Sequence, residues 1–299
     1  MPADKDARRT KGQAVAQIHP TAIVDSRAEL GKSVIVGPQC IVEAEAIIGD
    51  GCTLAARAIV KARTWLGENN DIGEGAVIGG RAQHLQLREP GGTLTIGSGN
   101  RIRENVTIHR GWASDVTTIV GDNCYIMVGA HIGHDCRIGS SCILVNNCMI
   151  GGHVHIDDRA YLSGGVAVHQ FCRVGRLAMV GALAKVVQDV PPYVIIEGGG
   201  TTEIVGLNKV GLRRNGYTAD EILQLKEAYR VIYRQGLRWN EVLEILARDF
   251  NTGPASAFHA FLKSGKRGFV QERRISRKAT LKIVAPGDEQ DADAQRDAA

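Results

Sequence analysis

The strongest constraint in this chain is a period of six. Steps of six from Ile18 to Val186 meet an aliphatic residue at 26 of 29 positions, the exceptions being His84, Pro90 and Ser114. Thirteen of those aliphatics are followed directly by glycine, as in Leu30-Gly31, Ile72-Gly73 and Ile138-Gly139. Six matches neither the 3.6 of an α-helix nor the two of a simple strand. It fits a solenoid of short strands and turns, with aliphatics inward and glycine supplying the tight corner conformation.

The pattern resembles the hexapeptide repeat of left-handed β-helix acyltransferases, whose three hexads make one triangular coil of 18 residues. The resemblance implies a mainly β fold: a left-handed parallel β-helix followed by a C-terminal α-helical domain. Residues 1–16 form a flexible extension and 17–192 the β-helix, interrupted by loops at 79–92 and 109–117. Residues 193–268 form the helical domain, and 269–299 a basic, then acidic, disordered tail. Cys40, Cys52, Cys124, Cys136, Cys142, Cys148 and Cys172 all stand two residues before an in-phase aliphatic, a phase shared with Ala22, Ala58, Ala130 and Ala178. They read as small inward side chains.

Composition narrows the function classes. No apolar run of 18 residues occurs, and the polar MPADKDARRTKGQ start is no secretory signal, so a cytoplasmic protein with reduced cysteines is expected. Charge is uneven: residues 201–283 carry 16 Lys/Arg against 8 Asp/Glu. That bias suits an acidic partner, and the scarcity of aromatics beside it argues against nucleic acid.

VGAHIGHDCRIG (128–139) holds histidine, aspartate and cysteine, which suit a metal site, a base with its orienting acid, or buried filler. Stacking narrows the choice. Ile132, Ile150 and Val168 are 18 apart and should lie above one another, which sets His134, His153 and His169 at turns of successive coils. Asp135 lies beside His134. Gly152, directly above His134, leaves a niche and a bare backbone N–H, as acyl transfer needs. Alone, His155 and His259 read as structural or peripheral, and His19 as the opening turn.

NRIRENVTIHRG (100–111), GAHIGHDC (129–136), GGHVHIDD (151–158), AVHQF (167–171) and QDVPPYV (188–194) together resemble the acyl-[acyl-carrier-protein]–UDP-N-acetylglucosamine O-acyltransferases of lipid A biosynthesis. The resemblance implies transfer of an (R)-3-hydroxyacyl chain from acyl carrier protein to the 3-position of UDP-N-acetylglucosamine, with no cofactor or metal. By position, His134 is the general base, Asp135 orients it and the Gly152 N–H holds the oxyanion. His131, His153, His169, Gln170, His84 and Gln86 bind substrate, and Asn208 and Arg214 hold the nucleotide. Ala182 is the acyl-chain ruler. The family is homotrimeric, and the loop around 83–88 would reach a neighbouring chain's site.

Lys226, Arg230 and Arg234, at i, i+4 and i+8, form a docking stripe for the carrier protein. Gln83-His84-Leu85-Gln86 departs from the family's Gln-Asp-Leu-Lys, which raises a second reading, a 3-amino acceptor sugar and an amide product. A more distant one is a zinc enzyme resembling γ-class carbonic anhydrases, built on His134, His153 and His169.

Overall fold

The computed structural model describes residues 15–86, 90–199 and 202–273. The hexads become strands of two to four residues, grouped in three sheets of 11, 9 and 8 strands. Each strand pairs with the strand one coil on, as in Ile18↔Val36, Val24↔Val42 and Leu30↔Ile48. Three hexads therefore close one coil, and the chain winds a left-handed parallel β-helix of triangular section. The in-phase aliphatics point inward; Ile132, Ile150 and Ile108 are fully buried. Each such side chain contributes roughly 1.5–3 kcal/mol of burial. All seven cysteines are buried among them.

The two loops obey the same arithmetic. Across the first, partners lie 30 residues apart: Leu66↔Ile96, Ile72↔Ile102 and Ile78↔Ile108. Across the second they lie 24 apart: Ile96↔Val120 and Ile102↔Ile126. The insertions thus add two hexads and one, so the phase resumes. His84, Pro90 and Ser114 fall in phase by number only and sit on the loops.

The expected role of the glycines is corrected. The left-handed corner residue is the third after each aliphatic, not the first. It is mostly not glycine: Ser33, Asn69, Asn105, Asp135, His153 and Phe171 all have positive φ there. The glycines directly after the aliphatics serve close approach between coils. A Cβ at Gly49 would stand 2.7 Å from the Gly67 backbone, and one at Gly133 2.9 Å from the Gly152 nitrogen.

Past Pro191-Pro192, Val194–Ile196 adds one more parallel strand, and Ile204–Leu207 closes the edge antiparallel. Helices follow at Lys209–Arg214 (α1), Ala219–Tyr233 (α2), Trp239–Asp249 (α3) and Ser256–Lys263 (α4). Thr218 and Glu221 form the capping box that opens α2. Arg173 ties this region to the third sheet: it bonds buried Asp189, donates to the Phe261 carbonyl and lies 4.1 Å over the Phe261 ring.

The expected tail starts too early. Phe269 and Glu272 bridge to Asp189 and Ile204, and Val270 is buried. Val270 joins the solenoid core and Phe269 packs against the Trp239 and Phe261 rings, contacts that the hexad pattern does not announce. Residues 274–299 of the expected tail, and the extension up to residue 14, lie outside the described residues.

Candidate active site

His131, Met149 and Ala167 face outward in register on the second sheet, and the chain then turns through corners at 133–136 and 151–154 into the third. His134 and Asp135 stand on the first of these corners, His153 on the one above. Asp135 is held in the left-handed conformation at φ 61°, and its N–H donates to Thr118 Oγ1 at 2.8 Å. This fixed backbone aims the carboxylate at His134: Nδ1 donates to Asp135 Oδ2 at 2.5 Å. Both residues are buried. His153, directly above Asp135, brings its Nε2 to 3.4 Å from the same oxygen.

With Nδ1 committed, Nε2 of His134 carries the lone pair. It faces Gly152, where a Cβ would stand 2.8 Å from it. The Gly152 N–H has no acceptor among the described residues, while its carbonyl accepts from Phe171. A base nitrogen and an unused N–H thus share one niche.

His134, Asp135 and His153 offer three ligand atoms within 4.8 Å of one another. Asp135 Oδ2 is common to the group: it accepts from His134 Nδ1 and lies 3.4 Å from His153 Nε2. His169 takes no part in this group: its Nδ1 donates to the Gln170 carbonyl at 3.1 Å, and Gln170 is exposed. His169 instead lines a hollow of about 270 Å³ with His131, Met149, Gly151, Ala167 and Lys185. His131 bonds Thr107 Oγ1 at 2.8 Å and meets His109 edge-on at 4.9 Å. Burial, then the neighbouring imidazoles, pushes His109 down to about 4. Burial first, then His134, lowers His131. Burial also lowers His153, with Asp135 opposing it.

The loops bring residues that periodicity did not place. His84 stands edge-on to His134 of its own chain at 5.5 Å and 5.1 Å from Trp112. Arg63 and Arg110 hold the carbonyls of Gly91 and Pro90 and fold the loop back, which sets His84 beside His134 of the same chain. Phe171 stacks on His153 at 4.4 Å. Trp112, Thr118, His109 and Phe171 carried no periodic signal of function. Their reach to the site depends on loop paths and on register across insertions.

Other expected residues lie apart from this corner. Asn208 is buried and spent on its own fold: it caps α1 through Gly211 and donates to the Leu177 carbonyl. The expected nucleotide residue thus also holds the turn into α1 in place. Arg214 ends α1 and is exposed. Ala182 is exposed at a corner, its carbonyl against Gly198. Gln86 is exposed, its N–H donating to His84 Nδ1. On α2, Lys226 and Arg230 are exposed without an ion-pair partner among the described residues, but Arg234 is paired with Glu272 at 2.7 Å. The stripe is thereby shortened to two free cations.

Fold and corner together define a hexapeptide-repeat transferase. Residues 117–152 match the family model described as bacterial transferase hexapeptide (six repeats), and residues 189–270 match UDP N-acetylglucosamine O-acyltransferase, domain 2. The acyl-[acyl-carrier-protein]–UDP-N-acetylglucosamine O-acyltransferase of Burkholderia orbicola is 48% identical over 263 residues, covering 86% of this chain and all of that protein. The one from Ectopseudomonas mendocina is 48% identical over 259. The solved Francisella novicida UDP-N-acetylglucosamine acyltransferase matches with TM-score 0.82 and 38% identity, over 86% of this chain and 94% of that one. The Moraxella catarrhalis enzyme matches with 0.82 and 39%, over 85% and 99%. The chain belongs to the acyl-[acyl-carrier-protein]–UDP-N-acetylglucosamine O-acyltransferase family. Its relatives are named for UDP-N-acetylglucosamine, which disfavours both the 3-amino acceptor and the carbonic-anhydrase-like reading.

Proposed function

We propose that this acyltransferase moves an (R)-3-hydroxyacyl chain from acyl carrier protein to the 3-hydroxyl of UDP-N-acetylglucosamine, the first step of lipid A biosynthesis. The observation that carries the mechanism is the 2.5 Å bond between His134 Nδ1 and Asp135 Oδ2, which leaves Nε2 open beneath Gly152. Nε2 takes the proton of the sugar hydroxyl as its oxygen attacks the thioester carbonyl. The carbonyl oxygen gains the charge and is met by the Gly152 N–H. Collapse expels the carrier thiol, which takes the proton back from His134. Asp135 steadies the imidazolium between the two steps.

His131, His153, His169, Gln170, His84 and Gln86 line the substrate approach. Asn208 and Arg214 hold the nucleotide. Ala182 bounds the acyl groove. Lys226 and Arg230 dock the acidic carrier protein. We infer a homotrimer: Ile23, Ile35, Met149 and Leu183 are exposed apolar side chains that an interface between copies would cover, and no contact among the described residues brings Arg214 to its own chain's His134. No helix of the described residues is long and apolar enough to cross a membrane, in keeping with a cytoplasmic enzyme.

Replacing His134 with Ala tests the mechanism. Acyl transfer should fall at least about a hundredfold while the fold is kept. An unaffected rate would remove His134 from the chemistry.

A further inference from the structure

The two loops that interrupt the solenoid meet beside the catalytic pair. Their feet are joined backbone to backbone. Gly92 donates to the Gly111 carbonyl at 2.7 Å, and Gly111 to the Thr93 carbonyl at 3.0 Å. Thr93 and Thr117 share a hydroxyl bond of 2.7 Å. The seam leaves no room for side chains: a Cβ at Gly92 would stand 2.0 Å, and one at Gly111 2.2 Å, from the Val116 carbonyl oxygen.

Trp112 is the first residue beyond this seam, and it makes two contacts that converge on His134. Its backbone N–H donates to Asp135 Oδ1 at 3.2 Å, the oxygen that His134 does not use. Its indole, half-buried, lies 5.1 Å from the His84 ring, and His84 lies edge-on 5.5 Å from His134. One residue of the second loop therefore touches both the acid and the tip of the first loop. His84 itself is exposed; its ring lies between the indole of Trp112 and the imidazole of His134, and its Nδ1 accepts from the Gln86 N–H.

We propose that Trp112 is a positioning residue for acyl transfer: its N–H sets the Asp135 carboxylate, and its indole holds His84 against His134 as the acceptor-side wall of the site. The inference rests on His134 as the base. Such a ring contact is worth about two- to tenfold in an equilibrium, and its loss should fall mainly on the acceptor sugar.

The test is steady-state kinetics on the full chain, with UDP-N-acetylglucosamine and 3-hydroxyacyl carrier protein, for W112A, W112F, H84A and W112A/H84A. Expected are a two- to tenfold rise in acceptor KM for W112A and H84A, with kcat held because the backbone N–H of residue 112 still reaches Asp135 in both variants, and an unchanged donor KM. W112F should recover most of the loss. The double variant should be no worse in acceptor KM than W112A. Additive effects on acceptor KM, or wild-type constants for W112A, overturn the proposal.

A second measurement holds if W112A does not fold. In a W65F/W239F background Trp112 is the sole indole, and saturating UDP-N-acetylglucosamine should change its emission. H84A should abolish that change; a signal indifferent to both overturns the coupling. Failure of the base reading is distinguishable, since it shows as activity in H134A, whereas this inference is read from the cycle and from the indole.

Discussion

Gly152 lies over the open edge of His134, and a Cβ at 152 would come 2.8 Å from Nε2 and 2.9 Å from Cε1. The clash is with the imidazole and not with backbone. Gly152→Ala should therefore fold with an unfolding free energy near that of the wild type. Its acyl transfer should fall about a hundredfold or more, because the methyl fills the niche and displaces the base. Thermal unfolding and initial rates, measured together, check this; a fully active, folded variant would show that the niche is not where the carbonyl sits.

Asp135→Asn separates orientation from shape. Asparagine tolerates the left-handed φ of 61° and can still accept from Trp112. Its amide, however, would donate to His134 Nδ1 and place the ring proton on Nε2, the wrong tautomer for a base. The expected result is a kcat loss of about 10²–10⁴-fold with an unchanged melting temperature.

The buried imidazoles predict how stability depends on pH. His109 titrates near 6.5 when exposed and is pushed down to about 4 in the fold. The folded state therefore binds fewer protons than the unfolded state between those values. The stability this represents is present above about pH 6.5 and lost as pH falls towards 4, at most about 3 kcal/mol. His131 shifts in the same direction. Urea unfolding across that window should show a steeper acid loss for the wild type than for His109→Gln; parallel curves would count against it.

Carrier docking should divide between two arginines on α2. Arg230→Glu should raise the donor KM severalfold, and more at low salt, with acceptor KM unchanged. Arg234→Glu would instead set a carboxylate against Glu272 and cost stability, since Arg234 bonds Glu272 and lies 5.6 Å from the Tyr229 ring. Donor titrations at two salt concentrations, beside melting curves, distinguish the two.

Three of the buried cysteines should be silent in the native protein. Cys136 is pushed up to about 12, and Cys148 and Cys172 to about 11, in each case chiefly by burial. Cys136 donates to the Gly151 carbonyl at 3.0 Å. A thiol reagent at neutral pH should leave these three thiols unmodified until denaturant is added, and Cys136→Ala should keep its activity.

Much of the site was legible before any coordinates because a solenoid converts sequence distance into height. Residues 18 apart stack, so His134, Gly152 and Asp135 could be placed together from spacing alone, and Cys136 could be set aside as an inward side chain. The column did not predict that one oxygen of Asp135 would lie near both His134 and His153, because that depends on side-chain direction at left-handed corners.

By itself the sequence determined the repeat, the inward column, the corner carrying His134 and the capped α2, since each follows from local periodicity or a short-range motif. Only the tertiary structure decided that Trp112 and His84 gather beside His134, that Asn208 caps α1, and that Glu272 returns to pair with Arg234. Those are contacts between segments whose paths leave the repeat. Their geometry is set by which surfaces bury together, and no period records that.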